Sequence, residues 1–306
     1  MAEMRTATRP TDAGSTATSG ALQPKRRRKG APGQRAHWYT HAFLTVIVVI
    51  IGFPLAYAML VSTQTNQEYF SHQLSPGSGL RDNFDTVWNK RDLGLYMRTS
   101  LIQSVVIAAG KSVTAVLAGL AFVYFKFKLK GPVFWFVLVT LMMPTEISIL
   151  ALFEIVSGFG WTNSMLAITV PFLASATGAF LFRQHFSSIP AELSDAARVD
   201  GAGPLRFLWS VLLPLSWNVF GALAVIQFLY SWNMYLWPSL IIRDDDSQTV
   251  QIGLGALQNV GGGLSYGPLM LGAVLASIPP HAGLRAASED ISQGVCDHRW
   301  EMTHQE

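Results

Sequence analysis

The sequence predicts an all-α, polytopic membrane protein with about six transmembrane helices. Half of its 306 residues are hydrophobic and only 13% are charged, whereas a soluble domain draws about a quarter of its residues from Asp, Glu, Lys and Arg. The apolar residues gather in six blocks long enough to cross a bilayer. The basic residues cluster beside those blocks, as they do on the cytoplasmic flanks of membrane spans.

Taken in order, residues 1–37 are rich in Ala, Ser, Thr, Gly and Pro. They have too few large apolar side chains to offset the entropy of ordering and read as a disordered, basic cytoplasmic arm. The arm carries Lys25, Arg26, Arg27, Arg28 and Lys29 together, just ahead of the first apolar block. Such a run can bind nucleic acid, but beside a span it is the ordinary signal that keeps a segment in the cytoplasm, so nucleic acid is not the expected partner. The first apolar block starts too far into the chain, and is too long, for a cleaved signal peptide.

The blocks lie near residues 38–62, 97–124, 133–156, 161–183 and 213–242, with a last one beginning near Tyr266. Lys126, Lys128 and Lys130 follow the second block, and Arg183, Arg198 and Arg206 lie between the fourth and fifth, so both connections read as cytoplasmic. The uncharged turn near 157–160 and the Arg243-Asp244-Asp245-Asp246 segment read as external. The long connection after the first block carries charges of both signs and orients the chain only weakly. Six spans return both termini to the cytoplasm. The lone Cys296 excludes an internal disulfide framework and any multi-cysteine metal site, and no metal or other cofactor is called for.

The most water-compatible segment of the second half is PAELSDAARVDGAGPLRFLWSVLLP, residues 190–214. Pro190 suits a helix start and Glu192 complements the positive helix end. Leu193, Ala196 and Ala197 share a face at i, i+3 and i+4. Asp200-Gly201 supplies a stop, with glycine free to turn left-handed, and Pro204 opens a second helix that feeds the fifth block across Pro214. Two alanines on an exposed face would let another protein's backbone come close.

Within this segment Asp195-Ala196-Ala197-Arg198-Val199-Asp200-Gly201-Ala202, closing at Leu212-Leu213-Pro214, resembles the cytoplasmic coupling motif of permease subunits of ATP-binding-cassette importers, with Asp195 where that family usually has Glu. GKSVTAVLAGLAFVYFKFKLKG, LMMPTEISI, FLASATGAFLFRQHFSSIP and FLYSWNMYLWPSLI resemble the carbohydrate-type, maltose-like branch, above all the second permeases of glycerol-3-phosphate importers. The likeness runs over roughly residues 40–280. It implies a type I importer permease fold and a permease domain over 38–280 with coupling helices at 187–213. It also implies Glu192, Asp195, Ala196, Ala197, Asp200 and Gly201 as the ATPase-coupling residues. The implied partners are a second homologous permease, two ATPase subunits, an extracytoplasmic solute-binding protein and the bilayer. The implied solute is sn-glycerol 3-phosphate or, in the same branch, a sugar or oligosaccharide. The chain has no Gly-x-x-x-x-Gly-Lys-Ser/Thr phosphate loop of its own, so ATP hydrolysis would come from partners.

Inside the blocks, Lys111, Glu146 and Glu154 are expensive charges that face a partner or a water-filled path. Lys111 and Glu146 either form an ion pair or line the pathway. Trp232 and Trp237 read as an interfacial aromatic belt, with Asn233 between them as a pathway residue. A proton-coupled carrier using Glu146 or Glu154 is the rival class, but it leaves the cytoplasmic motif unexplained. An intramembrane enzyme lacks a Ser/His or two-His-plus-carboxylate set. Residues 281–306 bring charge where the sixth span should continue. Back-translated one nucleotide forward, the codons at 300–303 force Gly, then Lys or Arg, then a stop, and the same shift allows an apolar stretch after Pro280, so this tail reads as the product of a shifted frame.

Overall fold

A computed structural model describes residues 38–144, 146–260 and 263–303, with side chains to Arg285 save Val260. The basic arm lies outside the described residues, as do the side chains of the tail beyond Arg285.

The first helix, α1 (Trp38–Val61), is apolar on every side, with a mean hydropathy of 2.6. Ile51, Phe53 and Leu55 are each more than half exposed and Val61 alone is buried, so the helix presents its surface to lipid or to another subunit. The long connection after it is folded. Here α2 (Asn66–Phe70) starts on a capping box, with the Thr65 hydroxyl accepting from the Glu68 N–H and the Glu68 carboxylate accepting from the Thr65 N–H at 2.8 Å. The Thr65 N–H foremost holds that carboxyl below the usual glutamate range. Asn83, in α3 (Leu80–Asp85), donates to the carbonyls of Ser62 and Gln64, both at 2.9 Å, and ties the connection to the end of α1. A π-turn over Thr86–Lys90 leads on to the next helix.

The central helix is α4 (Leu93–Tyr124), against which α8 (Ala176–Ser188) and α12 (Trp217–Trp232) pack. Gly119 and Gly178 set the α4–α8 crossing: an added Cβ would stand 2.7 Å from Phe182 Cβ in the first case and 2.6 Å from Ala115 Cβ in the second. Small residues at a crossing are what membrane helices use to approach closely.

One expected span is broken, and another is interrupted by a 3₁₀ turn while still long enough to cross as one segment. The third block divides into α5 (Lys130–Leu141) and α6 (Ile149–Gly158), because Pro144 has no N–H to continue the ladder and restricts Met143. The fourth runs through α7 (Met165–Thr169), a 3₁₀ turn at Val170–Phe172 containing Pro171, and α8. After α9 (Ala191–Val199), α10 (Pro204–Phe207) opens on its proline. A π-turn follows at Leu208–Leu212, then α11 (Leu213–Leu215), and the path bends by 82° into α12. Pro214 cannot donate to the carbonyl four residues back, and a widened turn accommodates the missing bond. The chain closes with α13 (Leu236–Ile241), α14 (Val250–Ala256), a two-residue hairpin of β1 (Asn259–Val260) and β2 (Gly263–Leu264), and α15 (Tyr266–Thr303). Among the described residues three segments are long and apolar enough to span, or four with the bent pair counted as one. Of the about six spans expected, the third is divided near Pro144 into the shorter apolar helices α5 and α6.

Three apolar clusters hold the helices together. Val116, Leu120, Phe182, Phe186, Phe207 and Leu212 form the first. Ile107, Ile168, Phe172 and Trp237 centre the second. Leu93, Trp232, Leu257 and Leu271 centre the third.

Candidate functional site

The two chain breaks meet at a cavity. α12 ends at Asn233, whose amide Nδ2 donates back to the Leu229 carbonyl at 2.8 Å, and the chain turns before α13. Facing that turn is the gap between α5 and α6. Together they bound a cavity of about 560 Å³ whose walls include Glu146, Asn233, Tyr230 and Tyr235 among apolar residues such as Phe172 and Leu152. Unwound backbone at membrane depth is tolerated where it lines such a space.

Lys111 of α4 does not line this cavity but reaches Tyr230, which does. It is 7% exposed. Its Nζ donates to Gln227 Oε1 at 3.1 Å and stands 4.4 Å from the centre of the Tyr230 ring. Gln227 Nε2 donates in turn to Ser175 Oγ at 3.2 Å, and that hydroxyl accepts from the Gly178 N–H at 3.0 Å. The alternative of a Lys111–Glu146 ion pair is therefore set aside. The ion pairs among the described residues are Lys90–Asp85 and Arg198–Asp195, Glu146 sits in the break, and Glu154 is exposed on α6. An amide carbonyl and an aromatic face meet the amine instead. Gln227 and Tyr230 were not singled out from sequence, although polar residues three apart inside an apolar helix share one face and were there to be read. The tryptophan belt also fails. Trp232 and Trp237 are each 2% exposed, and the Trp237 N–H donates to the Ala167 carbonyl at 3.0 Å inside the second cluster.

The segment expected to couple to ATPases folds locally as its residues dictate. Glu192 lies in the first turn of α9, and Asp200 caps its end. Gly201 takes φ +72°. The Ala202 N–H reaches the Ala197 carbonyl at 2.8 Å and the Gly201 N–H reaches that of Arg198 at 3.1 Å, the paired closure of a Schellman motif. Asp195 and Arg198 form an exposed pair at 3.5 Å, worth little in water. The two alanines part company. Ala196 is exposed, whereas Ala197 packs against the first apolar cluster and faces a cleft shared with Leu120, Tyr124 and Phe207. An outward face carrying both alanines is thus corrected to one carrying Leu193, Ala196 and Val199, the last 88% exposed.

Comparison with known proteins agrees with this architecture. Residues 111–279, just over half of the chain, match the family described as "Binding-protein-dependent transport system inner membrane component". The sn-glycerol-3-phosphate transport system permease protein UgpE of Pectobacterium atrosepticum is 37% identical over 79% of this chain and 89% of its own length. The protein of the same name from Salmonella typhi is 36% identical over 85% and 95%. A crystal structure of a bacterial ABC transporter involved in the import of the acidic polysaccharide alginate superposes with a TM-score of 0.72, at 17% identity, over 83% of this chain and 95% of that one, which speaks to the fold. These matches make the chain a member of the family of inner-membrane permease components of binding-protein-dependent transport systems.

Proposed function

We propose that the chain forms half of the translocation pathway of an ATP-driven importer for sn-glycerol 3-phosphate. The observation that carries this is the cavity at the two chain breaks, with Glu146 and Asn233 in its walls and the buried cation Lys111 behind Tyr230. Polar groups brought together at membrane depth serve a solute path, and a buried amine without a carboxylate partner favours an anion. The names of the relatives support the same solute. In this reading a second, homologous permease supplies the other half, two ATPase subunits dock on α9 through Glu192, Asp195, Ala196, Asp200 and the Gly201 turn, with Ala197 bracing the helix from within, and an external binding protein delivers the solute. The arm at 1–37 lies in the cytoplasm, the permease domain occupies 38–280 of the cell membrane, and the coupling helices lie at 187–213.

Uptake into vesicles carrying the assembled importer tests the cavity. Asn233→Ala removes one hydrogen-bonding group, worth about 1 kcal/mol or roughly fivefold in KM, and Glu146→Gln should shift KM by a similar factor. Unchanged KM and maximal rate in both variants would sink the assignment.

A further inference from the structure

The segment that joins α9 to α12 carries an apolar flank with no part in the transport path. Pro204–Leu215, made up of α10, the π-turn and α11, lies at 82° to α12. One side of it is core, with Phe207, Leu208 and Leu212 buried in the first apolar cluster. Its outer side is divided. Leu205 and Trp209, four apart, are 61% and 70% exposed, whereas Arg206 and Ser210, each one position further on, are exposed polar residues. Residues four apart share a face, so an apolar flank runs beside a polar one.

The bend fixes where this flank sits. The helix α12 is 16 residues long, which is about 24 Å of a hydrocarbon layer of roughly 30 Å. It begins at Trp217, which is exposed and stacks on Phe220 at 5.6 Å. A tryptophan at the end of a span belongs at the headgroup level. From Trp217 back to Trp209 a helical path covers about 12 Å. Along a line at 82° to α12, that path changes depth by about 2 Å for an upright span and by roughly 6 Å for one tilted by about 20°. Trp209 therefore stays in the interface with Trp217.

We infer that Pro204–Leu215 is an interfacial helix lying along the membrane surface. Phospholipid covers the Leu205–Trp209 flank at the boundary of headgroups and acyl chains, and the Arg206–Ser210 flank turns to water. A short helix with an apolar and a polar side lies in the membrane plane in this way. The indole of Trp209 suits that depth, because its ring is apolar and its N–H can bond to a headgroup or to water. Lipid is the occupant because the flank stays at the depth of Leu215 and Trp217, which are exposed at the head of a spanning helix. Held at that height, the segment gives α9 a fixed base on the membrane. This placement is independent of the solute and of the residues in the membrane cavity.

Depth-dependent fluorescence quenching tests it in vesicles of phosphatidylcholine and phosphatidylglycerol that carry the full chain with its natural associates. In a Cys296→Ser background, Trp209→Cys and Ser210→Cys are each labelled with bimane. Lipids bearing a nitroxide high on the acyl chain should quench the label at position 209 severalfold more than lipids bearing it at the chain end, and more than iodide supplied on both sides of the membrane. At position 210 iodide should be the stronger quencher. Leu205→Cys should repeat the pattern of position 209, and it carries the test if Trp209→Cys does not assemble. Iodide quenching as strong at position 209 as at position 210 would make the flank a water-facing surface and overturn the inference. Quenching by neither lipid nor iodide would also overturn it, because the flank would then be covered by protein, an ATPase subunit or the second permease.

Discussion

Lys111 is held by Gln227 and by the Tyr230 ring, not by a carboxylate, and this fixes how its substitutions should combine. Lys111→Met and Gln227→Leu remove two halves of one buried contact, so their stability losses should be coupled by about 0.5–3 kcal/mol in a double-mutant cycle, while Lys111→Met and Glu146→Gln should add to within about 0.5 kcal/mol. Thermal unfolding of the four chains in detergent reads the coupling. Additivity for the first pair would mean that Gln227 does not hold the amine. Sequence made the cost of Lys111 legible, because a lysine amid apolar residues is conspicuous. The Gln227–Tyr230 polar face could be read locally, but its pairing with Lys111 could not, because α4 and α12 are brought together by tertiary packing, with α8 crossing α4 at its glycines.

The helix α9 shows the reverse balance at the scale of an element. Its start, its stop and the left-handed Gly201 follow from Glu192, Asp200 and Gly201 by local rules, and the structure reproduces each. Which alanine points outward depended on the cluster beneath and was not local. The consequence separates docking from folding. Ala196→Asp should leave the permease inserted and folded but lower solute-stimulated ATP hydrolysis, whereas Ala197→Asp should also lower thermal stability, because it turns a charge toward Leu120 and Phe207. At Gly201, where no neighbour lies within 4 Å of an added Cβ, Gly201→Val pays only for the left-handed conformation, about 1–2 kcal/mol. Equal ATP hydrolysis in wild type and Ala196→Asp would show that this face does not dock. The same limit of local rules explains the broken spans. Pro144 and Pro171 were visible, yet hydropathy averaged over a window smooths them away, and the break that carries Glu146 emerged only from the folded chain.

For the whole molecule, α15 leaves a mark. Pro280, Gly283 and Leu284 border an open apolar groove of about 370 Å³ against Val105 and Ala109 of α4 and Phe220 and Phe228 of α12. Larger apolar side chains after Pro280, which a shifted reading frame would allow, would fill it. Sequencing the gene around the Pro280 codon should therefore reveal an apolar run in the alternative frame, and the chain carrying that run should assemble better and melt higher. A frame without apolar codons there would make the polar tail genuine. The proposed function reaches further: in it, this permease receives its energy through α9 from partner ATPases. Purifying the full chain with its natural associates and measuring ATP hydrolysis in vesicles tests it most directly. Stable ATPase subunits should accompany the chain, and a solute-loaded binding protein should stimulate their hydrolysis together with solute uptake. Uptake that proceeds without any ATPase subunit and collapses when a proton gradient is dissipated would contradict the account and return the chain to the class of proton-coupled carriers.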